Sequence, residues 1–365
     1  MAEGKIRHMF PGGNTPQGFF SYYDHVITAD AVRIFLLKGG PGTGKSTFMK
    51  RISQAMTERG FAVEHHHCSS DPDSLDGLVI PALDIALIDG TAPHIVDPKH
   101  PGCVDEVLNL GEYWLESSLI NNKAAILACT KEISRRFQRA YRLLQAAKAI
   151  YDDWEAANNE ALDYTLANRK AAELIDSLFA GVTTVGHGRN RKLFASAITP
   201  DGPVNYIDSI ASGLASRYVL TGPPGTGKAT LLAKVAAAAS VRGLDIETYH
   251  CPLDPRKVEH IIIPALNTAL TTSVPPHNHS TRGTTAIIDM ADCLDQEMLQ
   301  QAEPVTAYDR TVFWELFGKA GAYIKEAKKL HDRLEGYYVP NIDFSGVDAL
   351  YDRTLARILA YAGQK

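Results

Sequence analysis

No apolar run in the chain approaches the ~18 residues that a membrane-spanning helix needs, so a membrane partner is not expected. The opening segment, MAEGKIRHMF, lacks the apolar core of a secretory signal, which leads to the expectation of a cytoplasmic protein. Charge of one sign is also scarce. Lys plus Arg number 37 and Asp plus Glu 42, a net charge of −5. Such a chain has no global field for DNA or RNA, and nucleic acid is not an expected partner. Cysteine is sparse: five residues, at 68, 103, 129, 251 and 293. An odd, widely spaced set fits a reduced, cytosolic chain better than a disulfide framework. Gly (28) and Pro (19) are at ordinary levels, which excludes collagen-like and low-complexity classes. What remains is a globular chain, 45% hydrophobic and 365 residues long, or two domains at about 150 residues each.

The two domains are visible as a repeat. Residues 39–47, GGPGTGKST, lie over residues 222–230, GPPGTGKAT, with seven of nine positions identical at an offset of 183. The same offset continues without a gap. Residues 67–94 lie over 250–277 with twelve of 28 positions identical, where average composition gives roughly two. Upstream, RHMF (7–10) lies over RKLF (191–194), and TPQGFFSYYD (15–24) over TPDGPVNYID (199–208), at an offset of 184. The chain therefore divides into 1–182 and 188–365, joined by GVTTVGHGRN.

Each half reads as an α/β unit. AVRIFLLKG (31–39) is a short apolar run ending in Gly, a buried parallel strand. The Gly-rich turn and a helix closed by Gly60 follow. FAVEHHHC (61–68) and DIALID (84–89) read as strands and 73–83 as a short helix. From about 122 to 179 the pattern is helical, as it is over 308–338 and 346–362. The expected fold is α/β: two tandem units, each a doubly wound parallel sheet with flanking helices and an appended helical hairpin.

Gly39-x-x-x-x-Gly44-Lys45-Ser46 matches the GxxxxGK[ST] phosphate loop, between a strand and a helix as that motif requires. A phosphate chain needs several inward-pointing backbone N–H groups, and Gly permits that path. The helix N-terminus adds its positive end. The expected nucleotide contacts are Gly42, Thr43, Gly44, Lys45, Ser46 and Thr47. Lys45 places a cation between the β- and γ-phosphates, and the Ser46 hydroxyl is a ligand for Mg²⁺. Asp89, 44 residues after Lys45 at the end of DIALID, is the best candidate for the second metal-binding group. Its alternative reading is a turn residue before Gly90. Asp289 and the Asp105–Glu106 pair are weaker acidic candidates.

The second copy offers Gly225, Thr226, Gly227, Lys228, Ala229 and Thr230. Ala229 stands where the metal hydroxyl should be, and Thr272 stands opposite Asp89. Thr230 is one helical step on, rotated by about 100°, and corresponds to Thr47. Two losses of metal-binding groups predict one competent site and one degenerate one.

Other retained residues carry open readings. His67-Cys68-x-x-Asp71-Pro72 recurs as His250-Cys251-x-x-Asp254-Pro255. It reads as a buried Cys with Asp71 capping a helix, as a substrate contact, or as a metal site in which alternate members of His65–Cys68 share a face. Pro93-His94 recurs as Pro276-His277, at a strand edge from which His94 can approach the γ-phosphate. Arg7 and Arg191, Tyr22 and Tyr206, and Asp24 and Asp208 also recur, as packing or as flanks of the base. Arg135, Arg139 and Arg142 share a helix face with Arg136 beside them, as in a lid or as on a solvated surface.

These motifs resemble those of P-loop NTPases. The whole-chain duplication resembles an uncharacterised bacterial family of tandem P-loop ATP-binding proteins of the ATPase or nucleotide-kinase kind. GPPGTGK is also similar to the loop of AAA+ proteins, which carry a catalytic Glu where this chain has Gly90. The resemblance implies ATP and Mg²⁺ as cofactors; the residues read as catalytic from their positions in the sequence are Lys45, Asp89 and His94. Three functions follow: ATP hydrolysis at the first site, phosphotransfer to an unknown acceptor, or nucleotide-gated binding of a protein partner without turnover. The missing NKxD-type signature favours adenine over guanine. The duplication suggests an intramolecular pseudo-dimer and is compatible with a homo-oligomer.

Overall fold

The computed structural model describes residues 3–184, 186–281 and 283–363. Val185, in the joining stretch 181–190, lies outside them. The first repeat runs β1 (Ile6–Met9), β2 (Gly12–Thr15), β3 (Gly18–Ser21), β4 (Arg33–Lys38), α1 (Lys45–Thr57), β5 (Val63–Cys68), β6 (Asp71–Ile80), β7 (Ile85–Asp89), β8 (Asp105–Asn109), α2 (Glu116–Asn121), α3 (Lys123–Glu160) and α4 (Tyr164–Leu178). The second runs β9 (Asn190–Leu193), β10 (Ser196–Thr199), β11 (Gly202–Asn205), α5 (Ile207–Ile210), β12 (Ser216–Thr221), α6 (Lys228–Val241), β13 (Ile246–Cys251), β14 (Asp254–Ile263), β15 (Thr268–Thr272), β16 (Ala286–Asp289), α7 (Gln296–Tyr338) and α8 (Phe344–Gly363).

Each repeat builds a six-stranded sheet, in the orders β1-β5-β6-β7-β4-β8 and β9-β13-β14-β15-β12-β16. The two orders match strand for strand. The sheets are not wholly parallel, as the sequence suggested. β6 runs antiparallel to both β5 and β7, while β4 pairs parallel with β7 and β8. The short helix expected over 73–83 is therefore the strand β6 with a single 3-10 turn, Pro81–Leu83. Leu78–Ile80, all buried, lie between Gly77 and Pro81, and a run that short satisfies a strand before a helix. Asp71 likewise caps no helix; its carboxylate accepts from Ser74 Oγ at 2.8 Å in the β5–β6 hairpin.

The compact units do not coincide with the repeats 1–182 and 188–365. Unit one comprises Met1–Gly13, Ser21–Arg139 and Ala322–Lys365; unit two comprises Asn14–Phe20 and Ala140–Gly321. In unit one, Phe48, Met49, Ile52 and Met56 form the apolar stripe of α1 against Phe35, Leu37, Leu78 and Leu87 of the sheet. That core is completed by Ile342, Val347 and Ile358, from the second repeat. In unit two, Leu231, Leu232 and Val235 of α6 pack on Leu220, Ile261 and Leu270, and Ala161, Leu162, Ala171 and Leu174 of the first repeat complete the core. α4 begins at Asp163, whose side chain accepts from Thr165 and Leu166 N–H at 2.8 and 3.0 Å, an N-cap. The appended helices are thus exchanged: each covers the sheet of the other repeat.

Candidate nucleotide site

In unit one, β4 delivers the chain into the loop at Gly39 and α1 begins at Lys45. Gly42 (φ 70) and Gly44 (φ 84) hold the left-handed conformation that the turn needs. A methyl group on Gly42 would also stand 2.8 Å from Val339 Cγ2. Lys45 Nζ lies across the loop, donating to the Gly39 and Gly40 carbonyls at 3.0 and 2.9 Å, and stands 3.6 Å from Asp89 Oδ2. Thr43 Oγ1 donates to the Gly40 carbonyl at 2.9 Å. Ser46 Oγ accepts from Leu75 N–H at 3.0 Å, and Thr47 is exposed.

Asp89 ends β7, beside the phosphate-loop strand. Its Oδ1 accepts from the N–H and hydroxyl of Thr91 at 3.0 and 2.5 Å. His94 Nδ1 donates to the Asp89 carbonyl at 3.0 Å. The His94 ring is buried and stacked on Tyr23, centroids 4.8 Å apart. Its Nε2 stands 3.6 Å from Asp76 Oδ1, and Tyr23 donates its hydroxyl to Asp76 Oδ2 at 2.8 Å. Burial, with Asp89 nearby, holds the Asp76 carboxyl above the usual range, against the pull of His94. One ligand atom each from Asp76, Asp89 and His94 lies within 4.8 Å of the others. Asp76 escaped the sequence reading. Its signal was present, because Glu259 is acidic at the same offset of 183.

The other acidic candidates are engaged elsewhere. Asp105 accepts from Lys99 N–H at 2.9 Å, Glu106 pairs with Arg357, and Asp289 caps a 3-10 turn through Ala291 N–H at 3.0 Å. On α3, Arg135 pairs with Glu132 and Arg136 with Glu326, and Arg139 lies 5.9 Å from the Tyr323 ring centre. Arg7 and Arg191 pair with Glu64 and Glu247 at 2.9 and 3.4 Å, a cross-strand contact between matched strands in both repeats.

The HC-x-x-DP repeat has a structural explanation. His67 and His250 donate Nδ1–H to the carbonyls of Pro72 and Pro255, each at 2.7 Å, closing the same hairpin twice. Burial raises the Cys68 and Cys251 thiols, so neither is a thiolate near neutral pH.

In unit two, Gly225 (φ 83) and Gly227 (φ 81) repeat the loop geometry. Lys228 Nζ donates to the Gly222 and Pro223 carbonyls at 2.7 and 2.6 Å and to Thr226 Oγ1 at 3.0 Å. Burial pushes its ammonium down to about 8, with Lys257 adding to the shift and Glu155 and Asp289 opposing it. Asn158 and Asn159 Nδ2, from the first repeat, donate to the Pro224 and Gly225 carbonyls at 2.9 and 3.0 Å. A cavity of about 360 Å³ opens beside the loop, lined among others by Ala229, Thr230, Lys228, Lys257 and Thr272. That is the size of a small-molecule site. Glu259 and His277, the counterparts of Asp76 and His94, are 3.1 Å apart, and His277 holds the Glu259 carboxyl below the usual range against its burial.

The family model of the AAA domain (dynein-related subfamily) matches residues 34–146. The match supports a P-loop NTPase that binds ATP. It takes in the phosphate loop, Asp76, Asp89 and His94. No curated protein and no solved structure matches the chain. Among the described residues, no helix is long and apolar enough to cross a membrane.

Proposed function

We propose that the chain hydrolyses ATP at the first phosphate loop, with Mg²⁺, and that the second loop binds nucleotide without turnover. The observation that carries this reading is the convergence of Lys45, Asp89, Asp76 and His94 in unit one. The donors there suit both groups: a left-handed glycine loop with a lysine across it fits a triphosphate, and the Ser46 hydroxyl and Asp89 carboxylate are hard oxygen ligands. Bound Mg²⁺ supplies charge neutralisation to the phosphate oxygens. Lys45 exchanges its loop carbonyls for phosphate oxygens. Asp76 is the base that orients and deprotonates water, oriented in turn by the Tyr23 hydroxyl. A carboxyl held above its usual range is a better proton acceptor at neutral pH. His94 faces Asp76 across 3.6 Å, a place from which to share that proton. In unit two, Ala229 offers no hydroxyl and Thr272 no carboxylate at the metal positions, while the cavity and Lys228 remain.

ATP turnover by the wild type and by Lys45→Ala and Lys228→Ala proteins, with Mg²⁺ and with EDTA, tests the assignment. Turnover should vanish in Lys45→Ala, survive in Lys228→Ala and stop with EDTA. Equal losses in both variants refute the asymmetry. A wild type that binds ATP without turnover refutes hydrolysis.

A further inference from the structure

A second cluster of chemistry-bearing side chains lies at the sheet edge of unit one. β1 and β5 pair in parallel there, with His8 opposite His65. His67 follows two residues along β5, and alternate strand residues share a face. The His8 ring lies 5.4 Å from that of His65 and 5.1 Å from that of His67, centre to centre. One ring nitrogen from each of the three lies within 4.8 Å of the others. His67 donates Nδ1–H to the Pro72 carbonyl, so its proton is on Nδ1 and its Nε2 carries the lone pair. His8 donates Nδ1–H to that Nε2 at 2.8 Å, so an ion held by both rings takes the place of this proton, which passes to Nε2 of His8. Ser53 Oγ on α1, 2.6 Å from His65 Nε2, orients the third ring. A backbone carbonyl and a hydroxyl behind imidazoles are the outer partners that orient histidines in metal sites.

We propose that His8, His65 and His67 bind one divalent transition metal ion of the zinc class, in the first repeat only. Three imidazoles suit zinc, nickel, cobalt or copper better than Mg²⁺ or Ca²⁺. His8 and His65 are only partly covered, leaving an outer side for a fourth ligand. The second repeat supplies the contrast. Opposite His8 and His65 it carries Lys192 and Thr248, which are register partners on β9 and β13. Only His250 is retained, and its Nδ1 makes the same hairpin bond as His67. The hairpin accounts for one histidine; the other two occur in the first repeat alone. This inference does not depend on ATP turnover.

Zn²⁺ binding by the untagged full-length protein tests it, measured by titration calorimetry at pH 7. The wild type should take up one ion, with affinity lower by at least about 100-fold in His8→Lys and in His65→Thr. Both substitutions are the residues of the sister repeat. His331→Ala, in the helical cluster of His331, Asp332 and Glu335, should leave affinity unchanged. No uptake by the wild type at micromolar metal overturns the proposal, as does unchanged affinity in the two strand variants. X-ray absorption of the wild-type Zn²⁺ complex reads the ligands without any variant. Three imidazoles support the site, and a carboxylate-dominated shell overturns it.

Discussion

Removing one buried side chain from the second repeat should loosen the fold of the first. Ile358 lies on α8, fully buried, in the core formed by α1 and the β4–β7 sheet of unit one. Burying an Ile side chain contributes about 1.5–3 kcal/mol, and truncation to Ala adds the cost of the cavity, for a loss of about 2–5 kcal/mol. A unit of this size has a stability of about 5–15 kcal/mol, so the loss is a large fraction of it. Hydrogen exchange of the intact Ile358→Ala protein reads the consequence residue by residue. A loss near 3 kcal/mol accelerates globally protected amides by about two decades. The acceleration should appear in α1, β4 and β7, more than 250 residues upstream, and should spare α6, β12 and β15. The reciprocal change, Leu174→Ala on α4, should accelerate α6 and β12 and spare α1. Acceleration of α6 and β12 by Ile358→Ala would refute the exchange of helices between repeats.

Asp76→Asn should lower the ATP turnover number by about 100-fold with little change in KM, while Asp76→Glu, the residue of the second repeat, restores part of it; steady-state kinetics decide. In the wild type the rate should fall on acidification at a pH above the ordinary carboxylate range, because Asp76 must be ionised to accept a proton and its carboxyl is raised. Nucleotide affinity at the second loop, read in the Lys45→Ala protein, should weaken as pH rises through about 8, where Lys228 loses its charge; Lys228→Arg should abolish that dependence. Lys228 also links pH to stability. Its folded value, about 8, lies below the 10.5 of an unfolded lysine, so the unfolded chain holds more protons between the two and stability rises with pH across that window; denaturant titrations of wild type and Lys228→Met at pH 7.5 and 10 measure the difference. Gly225→Ala should destabilise unit two more than Gly202→Ala does, since its Cβ would meet the Glu155 carbonyl at 2.2 Å whereas Gly202 has open space; both have positive φ, so thermal melts isolate the clash from the backbone strain.

Local pattern alone determined a good deal of this protein. The two phosphate loops, the helices that follow them and the strands ending at Lys38, Cys68 and Asp89 are set by short-range signals: glycine where the backbone turns left-handed, an apolar run before it, a helical period after it. The loss of the Ser46 and Asp89 counterparts was visible too, because one chain holds two copies to compare. β6 was misread because a strand buried on both faces and a short helix share the same apolar run. Tertiary structure alone decided which helix covers which sheet. α4 and α8 carry similar apolar stripes and the two sheets present similar faces, so periodicity names a buried face but not its partner. It also decided the clusters. Asp76 meets His94 and Asp89 through antiparallel pairing of β6 with β7, and His8 meets His65 and His67 through pairing of β1 with β5. Sheet register, which spacing does not encode, brings each set of residues within reach.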